Sequence, residues 1–253
     1  MSWCKEDYFL SVPDAFRSII SDFEEPWNMI AGISEQITQL IAQSDAPEFD
    51  LSSSASFDVD DNLGVHQALH IMKTAITAEP IKITNLNIFI GKGVKLERTA
   101  IIYPNTYICD GSEIRQCAYI RGGVLIGEKC VIGHTTEIKN SIMIHHVEAG
   151  HFSYIGDSII GSYVNLGAGS ILSNLNFRSL HQKQNEEFPQ LKFETPSGQL
   201  VDGAKKFGAI IGDGSELGCN CVVTPCTFIG HESRILPCLC VRKGNYPPHS
   251  FLK

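Results

Sequence analysis

The stretch Ile120–Asn174 reads IRGGVLIGEKCVIGHTTEIKNSIMIHHVEAGHFSYIGDSIIGSYVNLGAGSILSN. Aliphatic side chains fall on every sixth position at Ile120, Ile126, Ile132, Ile138 and Ile144, and four residues after the first four of these stand Val124, Cys130, Thr136 and Ile142. Six is the period of neither an α-helix nor a lone strand. It is a repeat period, in which each short strand stacks on copies of itself. Outward from this stretch the spacing continues backwards through Ile114, Ile108, Ile102, Leu96 and Ile90. It resumes at Ile160, Leu166 and Leu172, and after a second interruption at Ile211, Leu217, Val223, Ile229, Ile235 and Val241. The fifth position of each hexad is mostly small, as at Ala100, Thr106, Ser112, Ala118, Cys130, Ser170, Ser215, Cys221, Thr227 and Ser233. One large aliphatic and one small side chain per strand suit a narrow triangular prism. The spacing therefore predicts a mainly β fold, a parallel β-helix of hexapeptide repeats. A β-sandwich has no reason to hold one spacing over so long a run.

The chain has 253 residues, 43% of them apolar, enough for a substantial core in one domain or two. A formal net charge of -8 argues against general affinity for nucleic acid or an anionic membrane. MSWCKEDYF carries charges where a signal peptide needs an apolar run, and no long apolar segment occurs, so a soluble cytoplasmic protein is expected. Nine cysteines include the pairs Cys219/Cys221 and Cys238/Cys240, which are C-x-C rather than C-x-x-C, so they read as structural thiols with no metal.

Residues 1–80 are expected to form a helical region with a linker, and residues 81–253 the β-helix with an inserted loop at about 175–207. Ser11-Val12-Pro13-Asp14 is a helix start, followed by Phe16, Ile19, Ile20 and Phe23 at helical spacing. A second start at Pro26 leads into the stripe Trp27, Ile30, Ile33, Ile37, Leu40 and Ile41. Ser44–Phe57 reads as a linker, and a helix is expected around Val65–Met72. This region is expected to pack on an end or side of the prism, because an open β-helix exposes strand edges. The loop, rich in polar residues and turn formers, is either an active-site wall, a subunit contact or disordered.

Three hexads make one turn, so residues 18 apart in register stack about 4.8 Å apart. Arg121 and Lys139 are so related, and both follow an inward aliphatic residue. Stacked cations repel unless an anion lies between them, and a phosphate would satisfy both. Beside them the spacing breaks, with 16 residues rather than 18 from Ile144 to Ile160. His145, His146, His151 and Tyr154 cluster there, and Glu137 lies close by in the chain. A histidine at an irregular coil near a basic stack suits a general base.

The run EIKNSIMIHHVEAGHFSYIGDSIIGSYVNLGAGSILSN, followed after a loop by KFGAIIGD at Lys206–Asp213, resembles a known family. It is similar to the left-handed β-helix acetyltransferase domain of the bifunctional N-acetylglucosamine-1-phosphate uridylyltransferase/glucosamine-1-phosphate acetyltransferase and of related sugar-phosphate nucleotidylyltransferases. The resemblance covers about Tyr119–Gly230. It implies that Arg121, Lys139 and Tyr154 hold a sugar phosphate and that His151 is the base for attack of an amine on acetyl-CoA. It implies that Glu137 and Asn165 lie near the sugar, and that Asn174 and Lys206 line the neighbouring subunit's part of the site in a homotrimer. Cys219 and Pro237 stand where the family places small residues against the acyl donor, and Leu175 where it often has an aromatic. Acetyl transfer of this kind needs no metal. The first 80 residues lack a Gly-rich nucleotide loop, so nucleotidyl transfer is not expected.

Two alternatives stay open. One is a non-catalytic trimeric scaffold or regulatory subunit that keeps the phosphosugar cleft. The other is a γ-carbonic-anhydrase-like metalloenzyme, for which His146 and His151 supply one pair of ligands but His134 is poorly spaced as a third.

Overall fold

The computed structural model of the chain describes residues 3–20, 24–59 and 67–253. Its architecture is the expected parallel β-helix: three nine-stranded sheets run the length of the prism, each gathering one strand from every coil. We call them the covered face (Val124–Ile126, Ser141–Met143, Ile159–Ile160, Ala209–Ile211), the polar face (Val131–His134, Glu148–His151, Asn165–Leu166) and the site face (Tyr119–Ile120, Glu137–Lys139, Tyr154–Gly156, Ile171–Leu172). The chain passes from the site face to the covered face, then to the polar face and back.

The hexad aliphatics form one ladder inside the prism, and all are buried in a single cluster except Ile144. Cys130 and Cys221 fill small inward positions; burial pushes the Cys130 thiol up to about 12. The exception at Ile144 corrects the register expected from spacing alone. Ile126 pairs with Met143, so Met143 points inward, while Ile144 joins a second cluster outside the prism. Val124 pairs with Ser141, seventeen residues on, whereas Tyr119 pairs with Glu137, eighteen on. One residue is therefore missing at Lys139-Asn140. A second is missing at Gly156-Asp157, since Ile142 pairs with Ile159 and Glu137 with Tyr154, each seventeen on. The irregularity expected among the histidines is thus two single-residue shortenings, both at the corner leaving the site face.

The first coil is closed by antiparallel strands. Leu69–Ile71 pairs with Ile101–Ile102, Ala75–Ile76 with Lys95–Leu96, and Ile81–Ile83 with Ile88–Ile90. They satisfy backbone groups that an open prism end would leave unpaired. Leu69–Ile71 lies where a helix is expected from Val65–Met72; Val65 itself falls outside the described residues. Within the expected linker, Phe49, Leu51 and Phe57 pack against the core.

The amino-terminal segment wraps the outside of the covered face. Its first helix is a single turn, Asp14–Arg17, with Phe16 buried in it and Ile19 and Ile20 buried beyond it; Phe23 lies outside the described residues. The expected second helix is two, Trp27–Ala31 and Ile33–Gln43, separated at Gly32. These apolar side chains cluster with Phe89, Leu125, Ile142, Ile159, Ile210 and Phe228, which point outward from the covered face. Asp213 pins the wrap: its carboxylate accepts from the amides of Leu10 (2.8 Å), Ser11 (3.5 Å) and Ser162 (2.6 Å). Burial raises its pKa against the opposing pull of those amides.

The inserted loop is folded. A helix at Leu180–Gln184 starts with a capping box from Ser179 and Gln182, and a hairpin pairs Lys192–Glu194 with Leu200–Asp202. Phe193 and Phe207 are fully buried against Trp27 and Phe228, so the loop's far half completes the cover. Phe177 and Leu180 stay exposed. No helix among the described residues is long and apolar enough to cross a membrane.

Candidate active site

Arg121 and Lys139 lie in one sheet and in register, the Arg121 amide donating to the Ile138 carbonyl at 2.8 Å. Each has its own carboxylate: Arg121 Nη1 is 2.7 Å from Glu137 Oε1, and Lys139 Nζ is 3.6 Å from Asp157 Oδ2. The first pair is half exposed, and its hydrogen bond raises the guanidinium pKa further. The second is nearly buried, with side chains 15% and 6% exposed. The Asp157 amide donates to the Lys139 carbonyl at 3.1 Å, so the carboxylate sits on the next coil beside the Lys139 side chain.

Asp157 is the hub of the shortened corner, and reading the sequence overlooked it. Its Oδ1 accepts from Asn140 Nδ2 at 3.2 Å, and its Oδ2 accepts from Asn174 Nδ2. Asn140 and Asp157 both adopt left-handed backbone (φ 42 and 47), which short polar residues tolerate better than most. The signal was present as the Asn140 and Gly156-Asp157 positions, each one residue short of a full hexad. Asn174 also accepts from the Tyr154 hydroxyl at 3.4 Å. Gly156 makes this closure possible, since a Cβ there would stand 2.7 Å from Tyr154 Oη and 2.8 Å from Asn174 Nδ2. Tyr154 is half-buried, and desolvation raises its phenol pKa. It stacks in register on Glu137.

The chain leaves the prism after Asn174 and returns beside it, the Phe207 amide donating to the Asn174 carbonyl at 3.1 Å. Lys206 thus follows Asn174 in space, and its Nζ lies 5.3 Å from the loop's Phe188 ring, over which Arg178 also sits at 4.0 Å. Arg121, Glu137, Lys139, Tyr154 and Asn174 are thus gathered, with Lys206 at the margin.

His151 ends a strand of the polar face, at the corner leading onto the site face, in register with His134. Its imidazole is exposed and takes no hydrogen bond among the described residues. Above it the same corner climbs through Gly169, whose amide donates to the His151 carbonyl at 3.0 Å, then Cys219-Asn220 and Pro237-Cys238. Cys219 and Pro237 therefore lie along one edge with His151. Asn165 is elsewhere, on the polar face between Glu148 and Glu216, donating to the Glu216 carboxylate at 2.9 Å.

The other histidines disperse. His145 packs under the amino-terminal cover against Phe16, and His146 stacks on Tyr163 at the third corner, ring centroids 4.7 Å apart. Among the described residues, no group of three candidate metal ligands includes His134, His146 or His151.

These coils and this corner define the class: a hexapeptide-repeat β-helix with a basic, hydrogen-bonded corner across one face from an exposed histidine. Residues 102–183 match the family described as the GMPPB C-terminal domain. A bifunctional sugar-1-phosphate nucleotidylyltransferase/acetyltransferase of Sulfurisphaera tokodaii is 31% identical over 157 residues, 60% of this chain and 37% of that protein. The bifunctional protein GlmU of Methanococcus vannielii is 32% identical over 149 residues (59% of this chain, 34% of that one), and that of Methylibium petroleiphilum 29% over 196 residues (73% and 36%). The chain spans about a third of the length of these curated relatives. Over that part it resembles the β-helix acetyltransferase domain of such bifunctional enzymes.

Proposed function

We propose that the protein is an acyl-CoA-dependent N-acetyltransferase acting on an amino-sugar phosphate of the glucosamine-1-phosphate kind. The reading is carried by the gathering of Arg121, Lys139, Tyr154 and Asn174 at one edge of the site face, with His151 at the other. Five residues round one corner separate the His134/His151 level from Lys139, a contour of at most about 16 Å. Long cationic side chains at one end and an imidazole at the other leave a span on the scale of a monosaccharide phosphate.

The sugar phosphate would displace Glu137 and Asp157 as partners of Arg121 and Lys139, its oxygens taking the guanidinium fork and the ammonium. Tyr154 donates to the phosphate or the ring, and Lys206 closes the mouth. Neutral His151 takes the proton from the amine as nitrogen attacks the thioester carbonyl of acetyl-CoA; the C–N bond forms, the C–S bond breaks, and CoA leaves as the thiol. The donor lies along the edge above His151, past Cys219 and Pro237, and the transfer uses no metal. Exposed Phe177 and Leu180, in the loop that follows Asn174, support a homotrimer in which a neighbouring subunit completes the site, working in the cytoplasm.

The test is release of CoA thiol from acetyl-CoA and glucosamine-1-phosphate. His151→Ala is expected to lower kcat by about 10²–10⁴-fold with little change in KM for the sugar phosphate. Undiminished turnover in the variant would falsify the base assignment. Phosphosugar binding without turnover in the unaltered protein identifies a scaffold instead.

A further inference from the structure

The third corner of the prism, leading from the covered to the polar face, takes no part in the proposed transfer. Near the last coils it carries Glu232 directly below His249, both with left-handed backbone (φ 55 and 61), and His231 immediately before Glu232. The His249 amide donates to the His231 carbonyl at 2.9 Å, which locks the two coils in register. Glu232 Oε2 is then 3.5 Å from His231 Nδ1 and 3.3 Å from His249 Nδ1. The two imidazoles stand almost perpendicular, 84° apart, with ring centroids at 4.9 Å.

One donor atom from each of the three residues lies within 4.8 Å of the others, and no other such group of three occurs among the described residues. His231 Nδ1 adds an independent observation. It is buried from solvent, on a side chain 13% exposed, and has no hydrogen-bond partner; among the described residues it is the one buried side-chain nitrogen or oxygen in that condition. A deprotonated Nδ1 facing a carboxylate oxygen sets two acceptors against each other, and a protonated one is too far away for a normal hydrogen bond. A cation between them satisfies both.

We propose that His231, Glu232 and His249 bind a divalent transition-metal cation of the zinc type. Two imidazole nitrogens and a carboxylate oxygen match that chemistry, whereas calcium and magnesium favour all-oxygen sets. At metal–ligand bonds of about 2.1 Å, tetrahedral ligand atoms stand about 3.4 Å apart. Both measured contacts to Glu232 are near that value, and a small rotation of the exposed His249 ring brings in the third. The fourth position opens to solvent for a water. Such an ion ties the last two coils together where the His231 amide donates to the Asp7 carbonyl at 2.9 Å, beside the Asp213 anchor, so it also steadies the amino-terminal wrap. The site is at a different corner from Arg121 and Lys139, and its fate is independent of the acetyltransferase reading.

The full chain, stripped with chelator, is titrated with Co2+ and then Zn2+, with unfolding followed by melting. Five exposed cysteines, at positions 4, 117, 219, 238 and 240, compete for metal, and Co2+ separates the cases. Nitrogen and oxygen ligands give visible d–d bands without the intense near-ultraviolet band of a thiolate complex. One equivalent with that signature is expected, with affinity falling at least about tenfold in His249→Ala and Glu232→Gln. Zn2+ should raise the Tm of the unaltered chain and leave that of both variants unmoved. His249 is an exposed side chain, so its replacement leaves the fold intact. A thiolate-only spectrum, no binding at micromolar metal, or equal affinity in the variants overturns the site.

Discussion

On the covered face the outward column reads Phe89, Tyr107, Leu125, Ile142, Ile159, Ile210 and Phe228; on the polar face it reads Lys95, Glu113, Val131, Glu148, Asn165, Glu216 and Arg234. Both faces present the same aliphatic ladder inward. The prism core is therefore indifferent to what surrounds it, and the outward column decides which face is wrapped. Where that column is apolar, the amino-terminal segment and the loop hairpin bury it; where it is charged, it stays open. The site face is intermediate, with Tyr119, Glu137, Tyr154, Ile171 and Val222 outward, and its proposed chemistry gathers at the edges.

The sharpest way to break this contrast is to truncate one outward residue on each side. Ile159 is fully buried beneath the wrap, and Ile159→Ala should cost about 4 kcal/mol, mostly lost transfer energy plus the cavity left behind. Val222 is 37% exposed on the site face, and Val222→Ala should stay within about 0.5 kcal/mol. Urea unfolding monitored by tryptophan emission reads both, since Trp3 and Trp27 lie in the wrap. Equal costs would mean that the wrap contributes little to stability.

A finer version sits at the site face's own edge, where two ion pairs differ in burial. Lys139→Met leaves the buried Asp157 carboxylate with only its two asparagine partners and should cost about 3 kcal/mol. Arg121→Met breaks a half-exposed pair and should cost less than about 1 kcal/mol. Both should raise KM for the sugar phosphate by comparable factors. A split in stability without a split in KM separates the structural part of Lys139 from its proposed binding part.

Most of the prism was legible in the sequence, because an inward aliphatic every sixth residue is a demand of the core itself. What escaped was set by single residues. Replacing Ile144 by Met143 on the inward ladder needs the shortened corner at Lys139-Asn140, and a methionine breaks the aliphatic pattern that spacing relies on. The covered face was visible in principle: Phe89, Tyr107 and Leu125, large and apolar, recur every eighteen residues just ahead of inward positions, where the polar face has the charged Lys95 and Glu113 at the same spacing. The pairing of Arg121 and Lys139 followed from arithmetic, but their carboxylate partners did not, since Asp157 reaches Lys139 only through a corner one residue short. The helix expected around Val65–Met72 became a strand at Leu69–Ile71 because the prism end needed a partner for its first edge, a tertiary demand that overrides local preference.

The gentlest probe of the wrap is acidification, acting through His145. Its ring lies edge-on to Phe16 at 5.6 Å between centroids, and its Nδ1 accepts from the Glu128 amide at 3.1 Å. Desolvation under the wrap lowers its pKa below the ordinary 6.5, with His146 adding to the shift and Glu128 and the Ile144 backbone opposing it. The unfolded chain, with an ordinary histidine, then binds the proton more readily than the folded one, so acid favours opening. Stability from this residue is complete above about 6.5 and is lost as pH falls through the lowered folded value. Protonation also places an N–H against the Glu128 amide, which removes that hydrogen bond. Limited proteolysis of the amino-terminal segment should accelerate modestly between neutral and mildly acidic pH, and His145→Gln should flatten that rise. If the same acceleration persists in the variant, the titrating group lies elsewhere, and the wrap is not held shut by the neutrality of this ring.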